Sequence, residues 1–159
     1  MKPGTSNEVR IIRAGTPELD VASRLFDAYR QFYKRAPDLG AARRYLAVRL
    51  AKQDSAFYLA YVSARGEQAA GFVHLYPSHD SLAMKPLWIL YDLYVTPEAR
   101  RQGVAEALMN RAAQLGRDSG ASCVILETAD DNTAAQALYE KLGYLRDQKF
   151  YRYALALPE

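Results

Sequence analysis

At 159 residues, half of them hydrophobic and a quarter charged, the chain is long enough for one domain and short for two. Nine glycines and seven prolines without a period exclude collagen-like and low-complexity chains. A net charge of +3, dispersed over 21 basic residues, suits an anionic ligand but excludes a concentrated nucleic-acid stripe.

The polar stretch 1–10 contains no apolar leader, and no later run approaches the ~18 apolar residues of a membrane span. One cysteine, Cys123, cannot form an internal disulfide, and no Cys/His pattern has zinc-ligand spacing. The expectation is a cytoplasmic protein with no metal, no membrane and no nucleic-acid partner.

In chain order, Val9 to Arg13 predicts a short strand. Thr16-Pro17-Glu18 then reads as N-cap, first-turn proline and first-turn acid of a helix running to about Arg35 and ended by Pro37. Val21, Leu25, Tyr29 and Phe32 recur at helical spacing and form its apolar stripe. Arg43 to Lys52 predicts a second helix. Phe57 to Ser63 and Ala70 to Tyr76, separated by Gly66, predict neighbouring antiparallel strands.

Leu87 to Val95 (LWILYDLYV) predicts a central strand buried on both faces, interrupted only by Asp92. A carboxylate inside such a run is costly unless paired or functional. Thr96-Pro97 ends the strand, and Val104, Leu108, Met109, Ala112 and Leu115 give the apolar face of a helix to about Arg117, closed by Ser119-Gly120. Ser122 to Glu127 predicts a buried strand, Asn132 to Leu142 a short helix with Gly143 just past its end, and Lys149 to Leu157 a last strand. The pattern is α/β (α+β): a mixed, mostly antiparallel sheet layered with helices, without repeat or linker, in a single domain over residues 1–159.

Two arginines and a glycine open the long helix: Arg100-Arg101-Gln102-Gly103-Val104-Ala105. The first N–H groups of a helix lack intrahelical partners and lie at the positive end of its dipole, so an anion is stabilised there. Gly103 and Ala105 clear the approach. No Gly-Lys-Ser/Thr ending and no dinucleotide glycine pattern is present, which leaves a pyrophosphate held without a required metal.

Arg100-x-x-Gly103-x-Ala105 resembles the acetyl-CoA loop of the GNAT superfamily of N-acetyltransferases, where Gln or Arg, Gly, and Gly or Ala stand at these spacings. Leu126-Glu127-Thr128 to Asn132, followed by Ala137 to Tyr144 with Tyr139 seven residues beyond the Asn, is similar to the family's second motif. These blocks place the motif core at about residues 87–145. A more distant likeness, through Gly71-Phe72, Tyr76 to Asp80 and Leu90 to Val95, is to the diamine, polyamine and histone-type branch. Tyr91 departs from it, because that branch carries Glu or Asn before the Asp.

The resemblance implies that the main chain of Leu93, Tyr94 and Val95 pairs with the pantetheine arm of acetyl-CoA. It likewise implies that Arg100, Arg101, Gln102, Gly103, Val104, Ala105 and Glu106 surround the pyrophosphate, and that Asn132 touches the arm. Tyr139 matches the family's acid for the leaving thiolate, with a helical packing tyrosine as the alternative. Asp92 and Asp80 match acidic positions that would meet a cationic amine, against a structural ion pair for Asp92 and a solvated loop acid for Asp80. Acetyl transfer requires a neutral amine, whose unperturbed pKa of about 10.4 makes it mostly ammonium at neutral pH, so a carboxylate or ordered water must take a proton.

Of the remaining candidates, Cys123 is expected in the core, His74 in sheet packing and His79 in a loop. Phe150-Tyr151-Arg152-Tyr153 is expected as strand, with an aromatic wall for a cation as the alternative. The implied function is acetyl-CoA-dependent N-acetylation of a small cationic amine in a ternary complex. The alternatives are a peptide or protein lysine or N-terminal acetyltransferase, or a non-catalytic acyl-CoA-binding regulator. A homodimer is left open, as are the acceptor, the general base and the acyl-chain preference.

Overall fold

Strand alternation sorts the side chains of the larger part of the protein into two apolar layers. The computed structural model describes residues 8–63 and 68–158. It divides the chain into two compact units, Met1–Glu127 and Thr128–Glu159. Gly66, expected between two strands, and the first seven residues of the polar N-terminal stretch lie outside the described residues.

In the first unit, β1 (Val9–Arg13), β2 (Ala56–Val62), β3 (Ala69–Asp80), β4 (Lys85–Val95) and β5 (Val124–Leu126) form one sheet in the order β1-β2-β3-β4-β5. Every pairing is antiparallel except that of β4 with β5. The mixed, mostly antiparallel sheet expected from the sequence is present. Phe57, Leu59 and Phe72 point to one face and pack against Ala22 and Leu25 of α1 (Leu19–Phe32) and Leu46 and Leu50 of α2 (Leu39–Lys52). Tyr58, one residue out of phase, instead lies 4.6 Å beneath the Arg111 guanidinium of α3 (Val104–Asp118). Full burial of each large apolar side chain contributes about 1.5–3 kcal/mol, so these two layers carry the unit.

Several boundaries differ from the sequence reading for identifiable reasons. Gly15, rather than Thr16, caps a 3-10 turn at Thr16–Glu18, its N–H bonded to the Glu18 carboxylate at 2.7 Å. Helix α1 stops at Phe32, before Pro37, where Lys34 turns left-handed with φ of 63°. Helix α2 starts four residues early because Asp38 caps it, Oδ1 accepting the Ala41 N–H at 2.8 Å. Strand β3 runs on through Pro77, since its pairing with β2 ends at Leu75 and a proline is tolerated on an unpaired edge. His79 is therefore exposed on a strand and not in a loop.

Two burial expectations are corrected. Strand β4 is not buried on both faces: a bulge between the His74–Asp92 and Leu75–Leu90 pairs leaves Tyr91 as the extra residue, 60% exposed. Among the described residues strand β5 is a three-residue edge strand paired only with β4, and Cys123 beside it is exposed and not a core residue.

In the second unit, α4 (Thr133–Lys141) is capped by Asn132, whose Oδ1 accepts the Ala135 N–H at 3.2 Å. Gly143, at φ of 90°, ends it: its N–H bonds to Glu140 O, and the Tyr144 N–H reaches back to Tyr139 O. The expected final strand is absent, and residues 149–157 form neither helix nor strand. The Asp147 carboxylate accepts the N–H groups of Lys149 and Phe150, at 2.8 and 3.2 Å, turning the chain where the strand was to begin. Phe150, Tyr151 and Tyr153 are exposed.

Candidate active site

The site builds outward from β4, whose two halves differ. Trp88, Ile89 and Leu90 are paired on both sides, by β3 and by β5. Past Leu90 the pairing with β5 ends, so Asp92 to Val95 are laddered by β3 alone and their other edge is open among the described residues. An open edge offers N–H and C=O groups to an extended ligand. Leu93, Tyr94 and Val95, to which the family resemblance gives the pantetheine contacts, belong to this half of β4.

The chain leaves β4 through a 3-10 turn at Pro97–Ala99 and enters α3 after two left-handed residues, Arg101 at φ of 60° and Gly103 at φ of 77°. Among the described residues no side chain caps the N-terminus of α3. A Cβ on Gly103 would meet nothing within 4 Å, so space is open beside that residue. Uncapped amides, the dipole and the neighbouring arginine fit an anionic group such as a pyrophosphate. Arg100 is anchored otherwise: its Nε donates to Val95 O at 3.2 Å and its guanidinium lies 5.5 Å above the Phe32 ring, tying the turn to α1. Gln102 similarly bonds Glu98 O at 2.9 Å.

Asp92 is buried on the face that carries α1 and α2. Across the ladder it faces His74, whose Nδ1 lies 3.4 Å from Asp92 Oδ2. His74 is fully buried, as packing implied, but it also organises a polar chain that the sequence reading missed. Its Nε2 is 2.7 Å from Ser55 Oγ, and its Nδ1 is 3.4 Å from the Tyr76 hydroxyl, which is hydrogen-bonded in turn to Tyr45 of α2. Burial, then the hydrogen bond with Tyr45, pushes the Tyr76 phenol far above its ordinary range, so Tyr76 stays neutral. Antiparallel pairing of the two strands brings these runs together, but it is the bulge between His74 and Leu75 that sets Asp92 rather than Tyr91 opposite His74.

Asp80 is elsewhere. It ends β3 six residues beyond His74, roughly 20 Å along the strand. Both its oxygens serve the hairpin tip, accepting the Ala83 N–H at 3.1 Å and the Ser122 hydroxyl at 2.9 Å. These bonds, chiefly the one from Ala83, hold its carboxyl below the ordinary range. Asp80 and Asp92 are thus not brought together. In the second unit, Tyr139 is half-buried on α4 with its ring 6.1 Å from that of Tyr144, whose phenol is pushed up by burial.

The sequence profile of the Acetyltransferase (GNAT) family matches residues 21–144, most of the chain. The protein belongs to this family. It is 37% identical over 150 residues to YhfO, an uncharacterized N-acetyltransferase of Bacillus subtilis, covering 94% of this chain and 99% of that one. A crystal structure of a probable acetyltransferase, 39% identical, superposes with a TM-score of 0.88 over 94% of this chain and 99% of its own. The aminoglycoside N-acetyltransferase AAC(6')-Iy, determined in complex with CoA, shares the fold at 19% identity, with a TM-score of 0.79 over 99% of both chains. The acetyltransferase fold and enzyme class implied by the motifs therefore hold. Among the described residues no helix is long and apolar enough to cross a membrane.

Proposed function

We propose that the protein transfers the acetyl group of acetyl-CoA to a primary amine, small and cationic, by direct attack in a ternary complex. The observation that carries this reading is the position of Asp92, a buried carboxylate on the half of β4 whose edge is open. A charge kept out of water is tolerated when a counter-charge meets it. His74 supplies one only when protonated, so an ammonium group is the complementary occupant. Asp92 then orients the amine and takes its proton.

Acetyl-CoA supplies the acetyl thioester. The main-chain groups of Leu93, Tyr94 and Val95 would receive its extended arm, and the turn from Arg100 to Glu106 its phosphates, while Asn132 keeps the arm-contacting role the family likeness gives it. Arg100 is already engaged with Val95 and Phe32, which favours Arg101 as the phosphate partner of the two. Tyr139 protonates the leaving thiolate, a role resting on its seven-residue spacing from Asn132 as in the family. Asp80 contributes no acceptor contact, both its oxygens being used at the hairpin tip. The whole chain acts as one acetyltransferase domain.

The test is CoA release from acetyl-CoA against a panel of small diamines, aminoglycosides and lysine peptides. Turnover with small polycations above peptides supports the reading; preference for peptides overturns the acceptor class, and tight acetyl-CoA binding without turnover overturns catalysis. Tyr139→Phe should lower turnover by about 10²-fold while leaving acetyl-CoA affinity intact, the usual size of a general-acid contribution. The high-pH limb of the rate profile should move with it. Unchanged turnover would return Tyr139 to a packing role.

A further inference from the structure

The buried polar chain around His74 is larger than a carboxylate needs for burial. Ser55, His74, Tyr76 and Tyr45 come from the approach to β2, from β3 and from α2, and converge behind Asp92 of β4. We propose that His74 is a positioning residue for Asp92: it fixes the carboxylate through Nδ1–H and, by taking a second proton at Nε2, cancels the negative charge offered to the acceptor amine. This inference rests on the reading that Asp92 meets that amine.

The tautomer follows from the surroundings. The Nδ1 atom faces Asp92 Oδ2 and the Tyr76 oxygen, both at 3.4 Å. A lone pair there would oppose a carboxylate, whereas an N–H is attracted to both oxygens. The Tyr76 O–H then donates its hydrogen bond to the Tyr45 oxygen, consistent with the hydrogen bond that helps hold the Tyr76 phenol neutral. At the other end Ser55 Oγ, 2.7 Å from Nε2, donates its hydroxyl proton to the ring.

Ser55 also permits the switch. When a proton from solvent binds Nε2, the Ser55 hydroxyl rotates from donor to acceptor, and no buried hydrogen bond is lost. The pair changes from neutral imidazole with carboxylate, net charge −1, to imidazolium with carboxylate, net charge 0. Among the described residues the other nearby charges stay fixed: Arg49 of α2, 5.6 Å from the Tyr45 ring and acting on the Tyr76 phenol, is paired with Asp54 at 3.2 Å in both states. Tyr76 remains a neutral phenol, and Phe57 presents an apolar ring 5.0 Å from the imidazole. Binding of an ammonium group and protonation of His74 are therefore competitive, and by linkage each must weaken the other equally.

The chain has only two histidines, which makes the test direct. Protein carrying ¹⁵N-labelled histidine is titrated by long-range ¹H–¹⁵N spectroscopy, with His79→Gln assigning the His74 signals in an otherwise native protein. Neutral His74 should show Nδ1–H, and a neutral Nε2–H tautomer overturns the proposal. Asp92→Asn should move the His74 midpoint to lower pH by removing the charge that favours imidazolium; an unmoved midpoint overturns the proposal while leaving the acceptor reading to its own kinetic test. Adding 1,4-diaminobutane to the His79→Gln protein, against sodium chloride of equal ionic strength, should also lower the midpoint. Each full unit of that shift means tenfold tighter diamine binding to the neutral-imidazole form. A diamine-independent midpoint overturns the coupling, and a shift that survives in Asp92→Asn assigns the diamine to another site.

Discussion

The β3–β4 hairpin carries an aspartate at each end, and the two have opposite surroundings. At the tip, Asp80 is solvated and both its oxygens are occupied by the local turn and Ser122. Near the base, Asp92 is buried, faces a histidine, and lies where the sheet loses one of its ladders. The same residue type in the same hairpin is a turn device in one place and a candidate substrate contact in the other. What separates them is backbone context: a turn amide supplies partners to Asp80, whereas the bulge at Tyr91 and the end of β5 leave Asp92 beside an open edge.

The largest expected effect comes from disturbing the base itself. Gly71 of β3 lies so close to β4 that a Cβ there would sit 2.5 Å from Tyr94 O and 3.2 Å from Val95 Cα, both backbone atoms with no freedom to swing aside. Gly71→Ala should cost on the order of 1–3 kcal/mol, as overpacking does. For a chain of this length that corresponds to a fall in melting temperature of roughly 2–12 °C. Acetyl-CoA affinity should fall too, because pushing these ladder-side atoms away from β3 shifts the strand whose other edge is open. A variant that melts and binds like the wild type would show that the base of the hairpin is pliant, removing the contrast with the tip.

The sequence made much of this base visible and little of its chemistry. LWILYDLYV announces β4 and makes Asp92 conspicuous because a charge interrupts an apolar run. Arg100, Gly103 and Ala105 mark the turn because an anion site requires open backbone, which a sequence records as missing side chains. The partner of Asp92 was not legible, since it depends on the register of two strands that a bulge shifts by one residue between His74 and Leu75. The anchoring of Arg100 on Phe32 joins residues from distant elements and leaves no local pattern. The last strand failed for the converse reason. Tyr and Leu alternation is a strand signal, but a strand exists only where ladder partners are found, and Asp147 turns the chain at that point.

A second effect separates the two aspartates kinetically. Asp92→Asn keeps the shape and removes the charge, so the acceptor Michaelis constant should rise by about tenfold or more, in line with the 1.5–3 kcal/mol of a hydrogen bond to a charged group. The Michaelis constant for acetyl-CoA should stay within about twofold, since its proposed contacts on β4 are main-chain. Measuring both constants with an amine from the panel sharpens the comparison. Equal rises, or a variant that unfolds, would make Asp92 a structural ion-pair partner of His74.

The smallest effect belongs to the tip, and its pH dependence has a definite sign. Folding lowers the Asp80 carboxyl from its ordinary value of 3.8, chiefly through the Ala83 N–H and then the Ser122 hydroxyl. A carboxyl depressed by folding contributes stability that is present above 3.8 and is lost as pH falls through the folded value. Asp80→Asn preserves an oxygen for the Ala83 N–H, and its amide can donate to a Ser122 hydroxyl that reverses its role. The variant should therefore melt slightly below the wild type at neutral pH. That difference should close under acid, because the wild-type side chain becomes neutral as well. Melting temperatures of the two proteins from about pH 2 to 7 follow this closure. Acceptor kinetics should be unchanged throughout, because the tip lies roughly 20 Å along the strand from the base. An acceptor Michaelis constant raised as in Asp92→Asn would place both aspartates in one extended acceptor site and erase the distinction between the hairpin's ends.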